Sequence, residues 1–154
     1  MERSASQPAL LDAPAPSAAR LPAGATEELP IAQVLLDSPV PHLDRPFDYA
    51  VPMDLSETVV PGGRVKVRFS GREFSAWVLA RRQEASTGAR LSMITKVVSA
   101  LPVLSAEVIE LAGQVARRCG GVTSDVLRAA VPRRAARVEL EFVPEDFAAA
   151  ATTG

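Results

Sequence analysis

The chain has 154 residues, a formal net charge of −1, one histidine and one cysteine. That length holds one ordinary domain, or a compact domain with a fragment of another. A lone cysteine excludes an internal disulfide and a cysteine zinc site, and a single histidine leaves no ready nucleophile–base pair, so neither an enzyme nor a bound metal or cofactor is expected.

The charge is unevenly spread. Residues 31–99 carry nine bases against seven acids and residues 100–137 six arginines against three acids, while both ends are net acidic. Such a central excess permits nucleic-acid binding without demanding it. No run of about 18 apolar residues exists, so no membrane-spanning helix is expected, and a soluble cytoplasmic protein is the default. Cys119 reads as a small buried apolar residue.

Residues 1–29 are rich in Ala, Pro and Ser without a sustained period, which predicts a disordered leader. From Pro30 the texture changes. Ile31, Val34 and Leu36 suggest a first strand, followed by a loop whose three prolines argue against helix. Phe47 to Pro52 is a short extended piece, and Gly62-Gly63 form a turn able to take positive φ. RVKVRF alternates without a fault, with Val65, Val67 and Phe69 on one face and Arg64, Lys66 and Arg68 on the other. The next strand is REFSAWVLARRQE; a polar loop and the β-rich LSMITKVVSA complete a β-dominated domain over residues 30–101.

A helical segment is expected over residues 102–137. Ser105 is a candidate N-cap, Val108, Leu111, Ala112 and Val115 form an apolar stripe, and Gly120-Gly121 is the stop. Thr123 or Ser124 then caps a short second helix before Pro132. Two helices joined by a tight turn are similar to the start of a winged-helix unit, although its third helix and wing are not evident. Residues 138–154 read as one short strand and a disordered tail. The fold class is therefore α+β, a small barrel-like antiparallel domain followed by a partial winged-helix segment.

Two features could carry chemistry. Arg64, Lys66 and Arg68 place cations about 6–7 Å apart along a strand, near the phosphate spacing of an extended single strand. The same charges would equally keep an edge strand soluble, and the spacing does not choose between these readings. Arg72 could widen the basic face. The second feature is the proline-bounded triplet Phe47, Asp48 and Tyr49. Its rings could stack on a base, and its carboxylate would repel internal phosphates yet accept a hydrogen bond from a sugar hydroxyl. That combination favours a strand terminus over a strand interior. The alternative places both rings in the core with Asp48 as a turn-former.

Three stretches, taken in order, resemble one family. They are S-P-V-P-H-L-D-R-P-F-D-Y-A-V-P from residue 38, P-G-G-R-V-K-V-R-F-S-G-R-E-F-S-A-W-V from residue 61, and I-T-K-V-V-S-A-L-P-V-L-S with D-V-L-R-A-A-V-P further on. Residues 31–132 are similar to the N-terminal region of the primosomal protein N-prime family, the PriA replication-restart proteins. The resemblance implies a domain that captures the 3′ end of the nascent leading strand at a stalled fork. Phe47, Asp48 and Tyr49 would line the pocket for the terminal nucleotide, and Gly71 would permit close backbone approach. Arg64, Lys66, Arg68 and Arg72 would meet the DNA backbone. From about Leu104 the chain resembles the start of the family's winged-helix domain. Ser92 stands where many relatives have lysine, with Arg90 or Lys96 as the candidate replacement. The family's helicase carries a phosphate loop and a cysteine-rich segment that have no counterpart in these residues, so a DNA-binding module without helicase activity is expected. The implied partners are forked DNA with a free 3′ end and other replication-restart proteins. The alternative is a remnant or truncated fragment that docks on replication partners without holding DNA.

Overall fold

The computed structural model describes residues 20–86 and 88–131. Five strands form one antiparallel sheet: β1 (Ile31–Leu36), β2 (Pro46–Ala50), β3 (Arg64–Phe69), β4 (Arg72–Arg82) and β5 (Ile94–Ser99). Two helices follow, α1 (Ala106–Cys119) and α2 (Thr123–Ala130). The spatial order is β2-β1-β4-β3-β5, so β2 and β5 are the edges and the cationic strand β3 is internal. The edge-strand reading of Arg64, Lys66 and Arg68 is thereby overturned, because β3 pairs with β4 on one side and β5 on the other.

The two edges approach each other. Ala50 of β2 forms a parallel bridge with Met93, just before β5, and its N–H donates to the Ser92 carbonyl at 2.8 Å. The sheet thus curls toward closure at one point, as a barrel-like domain requires.

Strand alternation divides the apolar residues between two faces. Ala32, Val34, Leu36, Val65, Val67, Ala76 and Val78 fill the concave side with Tyr49 and Val51. Leu35 and Trp77 point the other way, into a second core with Leu104, Ala112 and Leu127 from the helical segment. Sheet and helices share that second core across the expected boundary at residue 102. Gly62 makes the junction tight. Its φ is +82°, and a Cβ there would collide with the Leu104 carbonyl oxygen.

Several local expectations need correction. Residues 20–29 are bonded into the fold: Thr26 N–H donates to the Val51 carbonyl at 2.9 Å and Met53 N–H to that of Gly24 at 2.9 Å. The Arg81 guanidinium holds this segment from β4 by donating to the carbonyls of Glu28, Leu29, Ser56 and Val59. Residues 1–19 and 132–154, with the expected strand and tail at 138–154, lie outside the described residues. The proline-rich loop contains one 3-10 turn, Pro41–Leu43, because Pro41 takes the first position, where no N–H is needed.

Ser105 does cap α1, accepting from Val108 N–H, and Gly120 ends it at φ +66°. The buried seam of α1 is Ala112 and Ala116 with Ile109 beside them, whereas Val108, Leu111 and Val115 are exposed. Small side chains on that seam let α2 approach closely enough for Leu127 to be fully buried. Cys119 is exposed, being the last residue of α1 before the glycine stop. Neither Thr123 nor Ser124 caps α2; its N-cap is Val122, which has no side-chain acceptor.

Candidate nucleic-acid interface

A cleft of about 440 Å³ opens along the seam above the Ala50–Met93 bridge. One wall is the outer edge of β2 with its approach, Arg45 to Tyr49. The opposite wall is Ser86 and the stretch from Ala89 to Ser92, and the end of β3 closes it with Arg68, Phe69 and Ser70. The volume lies in the range of small-ligand sites and suits one nucleotide rather than a duplex.

The triplet of β2 lies in this cleft, but its three members differ in availability. Tyr49 is 4% exposed and belongs to the concave core; its hydroxyl donates to the Arg68 carbonyl at 2.9 Å. Burial raises its pKa above the usual 10.0. Its face is therefore not offered for stacking. Phe47 is half-buried, with the Phe69 ring at 5.0 Å and the Arg45 guanidinium 4.7 Å over its ring. Phe74 extends the cluster, 6.3 Å from Phe69. Asp48 points off the core, and its Oδ2 accepts from Ser86 N–H at 2.6 Å. That bond fixes the carboxylate against the far wall, while among the described residues Oδ1 has no hydrogen-bond partner.

The remaining expected residues are not brought to the cleft, apart from Arg68. Opposed residues of an antiparallel pair share a face, and Arg64 faces Trp77. Its guanidinium lies 4.3 Å over the Trp77 ring and 3.4 Å from Asp37. Lys66 pairs with Glu73 at 3.5 Å. These two cations thus sit on the helix side of the sheet, already engaged. Arg72 is exposed at the start of β4 and is not among the lining residues. Gly71 is not either. A Cβ there would meet nothing within 4 Å, and its φ of +78° beside Ser70 at +48° closes the β3–β4 hairpin.

The cleft instead gathers Arg45, Arg68 and Arg90 around one acid, Asp48. Of the two candidate replacements for the lysine, Arg90 lines the cleft, whereas Lys96 lies on β5 opposite Lys66. Arg45 and the Ser86 N–H were not singled out from the sequence. Arg45 lies two residues before Phe47, which was a usable signal. Ser86 belongs to an aperiodic polar loop, and only the folded register brings it to Asp48.

A family model described as "3′DNA-binding domain (3′BD)" of PriA matches residues 33–132. The chain belongs to the PriA 3′DNA-binding domain family. The match runs through both helices, in keeping with the core they share with the sheet. The chain is 50% identical over 103 residues to a probable replication restart protein PriA of Mycobacterium tuberculosis, covering 67% of this chain and 16% of that protein. It is 51% identical over 102 residues to the corresponding protein of Mycobacterium leprae, covering 66% and 16%. The Bacillus subtilis replication restart protein PriA is 28% identical over 102 residues, covering 66% and 13%. The chain thus spans about one sixth of the length of its mycobacterial relatives. Among the described residues no helix is long and apolar enough to cross a membrane.

Proposed function

We propose that this chain is a DNA-end-binding module of the replication-restart machinery, which holds the terminal nucleotide of a free 3′ end in the β2 cleft and performs no chemistry on it. The observation that carries this reading is the placement of Asp48. A single carboxylate fixed by Ser86 N–H stands among Arg45, Arg68 and Arg90 in a nucleotide-sized cleft. The arginines attract the phosphates that precede the terminal sugar, and the carboxylate accepts from its hydroxyl. An internal nucleotide would bring a second phosphate against Asp48 and be repelled.

Base contact comes from the aromatic cluster around Phe47 and from the guanidinium plane of Arg45, which stacks on a base as well as on a ring. Both surfaces accept any base, so end recognition is independent of sequence. Tyr49 acts from beneath, holding the β3 end against β2. The backbone contacts expected of Arg64 and Lys66 are reassigned to Arg45 and Arg90, because the former pair already engages Asp37, Trp77 and Glu73. A stalled fork with a free 3′ end is the matching substrate, in keeping with the 3′ DNA-binding domain of the family and the replication restart in the relatives' names.

Fluorescence anisotropy with a forked oligonucleotide tests this. A 3′-hydroxyl end should bind about tenfold more tightly than a 3′-phosphate end, and Asp48→Ala should remove most of that ratio. Equal affinity for the two ends in the unaltered protein would sink the pocket assignment.

A further inference from the structure

The loop between β1 and β2 is strapped to α2 at three places. The Arg128 guanidinium donates to Asp37 Oδ1 at 2.6 Å. The Ser124 hydroxyl, fully buried, donates to the Ser38 carbonyl at 2.6 Å. At the far end of the loop, Asp44 Oδ2 accepts from both the N–H and the hydroxyl of Thr123, at 2.9 and 3.0 Å. This last strap has an unusual form. The helix N-cap Val122 offers no acceptor, so a carboxylate 79 residues distant satisfies the first turn instead. The carboxylate also favours the positive end of the helix dipole.

Asp44 adjoins the residue that opens the cleft. Arg45 follows directly, and its guanidinium lies over Phe47 two residues further on. The second carboxylate oxygen of Asp44, Oδ1, is buried with no partner among the described residues. The orientation of the group therefore rests on Thr123, and a desolvated charge that lost those two donors would turn toward water and draw the chain with it.

We infer that Asp44 is a positioning residue for the cleft: clamped by Thr123 of α2, it sets the Arg45–Phe47 stack in place for the terminal nucleotide. The helix pair is then a brace behind the cleft rather than a DNA-reading element. This rests on the cleft being the binding site, but the brace itself can be read without DNA.

Hydrogen exchange of the free protein is the first measurement, on Asp44→Ala and on the milder Thr123→Val, which keeps the N–H and removes the hydroxyl. The amides of Arg45, Phe47 and Asp48 should exchange at least about tenfold faster in Asp44→Ala, with those of Val65 and Val67 unchanged. Thr123→Val should show the same pattern more weakly. No change at residues 45–48, or an equal rise at Val65 and Val67, would overturn the inference. Binding is the second measurement. Asp44→Ala should weaken affinity for a 3′-hydroxyl end roughly tenfold, and Asp44→Asn, which keeps an acceptor for Thr123, should recover most of it. Loss of affinity in both variants alike would also count against the clamp. Absence of any end preference in the unaltered protein would instead remove the proposed function and leave the exchange result standing.

Discussion

The helix side of the sheet and its seam use arginine in opposite ways. On the helix side, Arg64 lies over Trp77 and against Asp37, and Asp37 also takes Arg128, so these charges are spent inside the protein. Along the seam, Arg45, Arg68 and Arg90 line a cleft that holds one acid among the described residues. A cation in a sequence predicts a nucleic-acid contact only when the fold leaves its charge unneutralised and facing a space that a phosphate can enter. Perfect alternation in RVKVRF shows that the arginines share a face. Which of them stay free depends on the fold: Arg64 shares Asp37 with Arg128 of α2, whereas Arg68, near the strand end, lines the cleft.

The comparison can be broken most forcefully from the helix side. Trp77→Ala should cost about 3–5 kcal/mol in urea denaturation, because it empties the core that joins sheet to helices. A cost below about 1 kcal/mol would mean that the helices contribute little to the fold. A finer division follows from exchanging single arginines. Arg64→Ala should lower stability by about 1–2 kcal/mol while leaving DNA affinity within twofold. Arg90→Ala should do the reverse, leaving the melting temperature unchanged and flattening the slope of log K against log salt by about 0.7. If Arg64→Ala flattened the salt slope and Arg90→Ala did not, the roles of helix side and seam would be exchanged.

The smallest effect concerns the floor of the cleft. Tyr49 is the sole tyrosine of the chain, so its ultraviolet titration is unmixed. Burial raises its pKa above 10.0, which favours the neutral phenol in the folded state. Its contribution to stability is full below the unfolded pKa and is lost as pH rises through the folded one. The phenolate absorbance should therefore appear above pH 10.0 in the folded protein and at the ordinary value in urea. Coincident titrations would mean that the ring is open to solvent and free to stack.

Much of the fold was legible because its signals are local. Alternation marked β3 and, more loosely, β1, β-rich composition marked the other strands, and Ser105 and Gly120 marked the ends of α1. The Phe47-Asp48-Tyr49 triplet stood out because it sets a carboxylate between two aromatics, and all three residues line the cleft. What the sequence could not supply were pairings between distant residues. Nothing near Thr123 points to Asp44, nothing near Ser86 points to Asp48, and the helical period of α1 does not say that alanines rather than valines face the core. Arg45, two residues before Phe47, carries no signal beyond that position, because a cation before proline has many roles until its distance to Phe47 is known.

On the proposed function the seam cleft, and not the cationic face of β3, receives the DNA end. Amide chemical-shift mapping of the protein with a short oligonucleotide bearing a 3′-hydroxyl tests it directly. The largest shifts are expected at Phe47, Asp48, Tyr49, Ser86, Arg90 and Ser92, with Arg64 and Lys66 almost unmoved. Shifts concentrated on Arg64, Lys66 and Glu73, with the cleft silent, would contradict it.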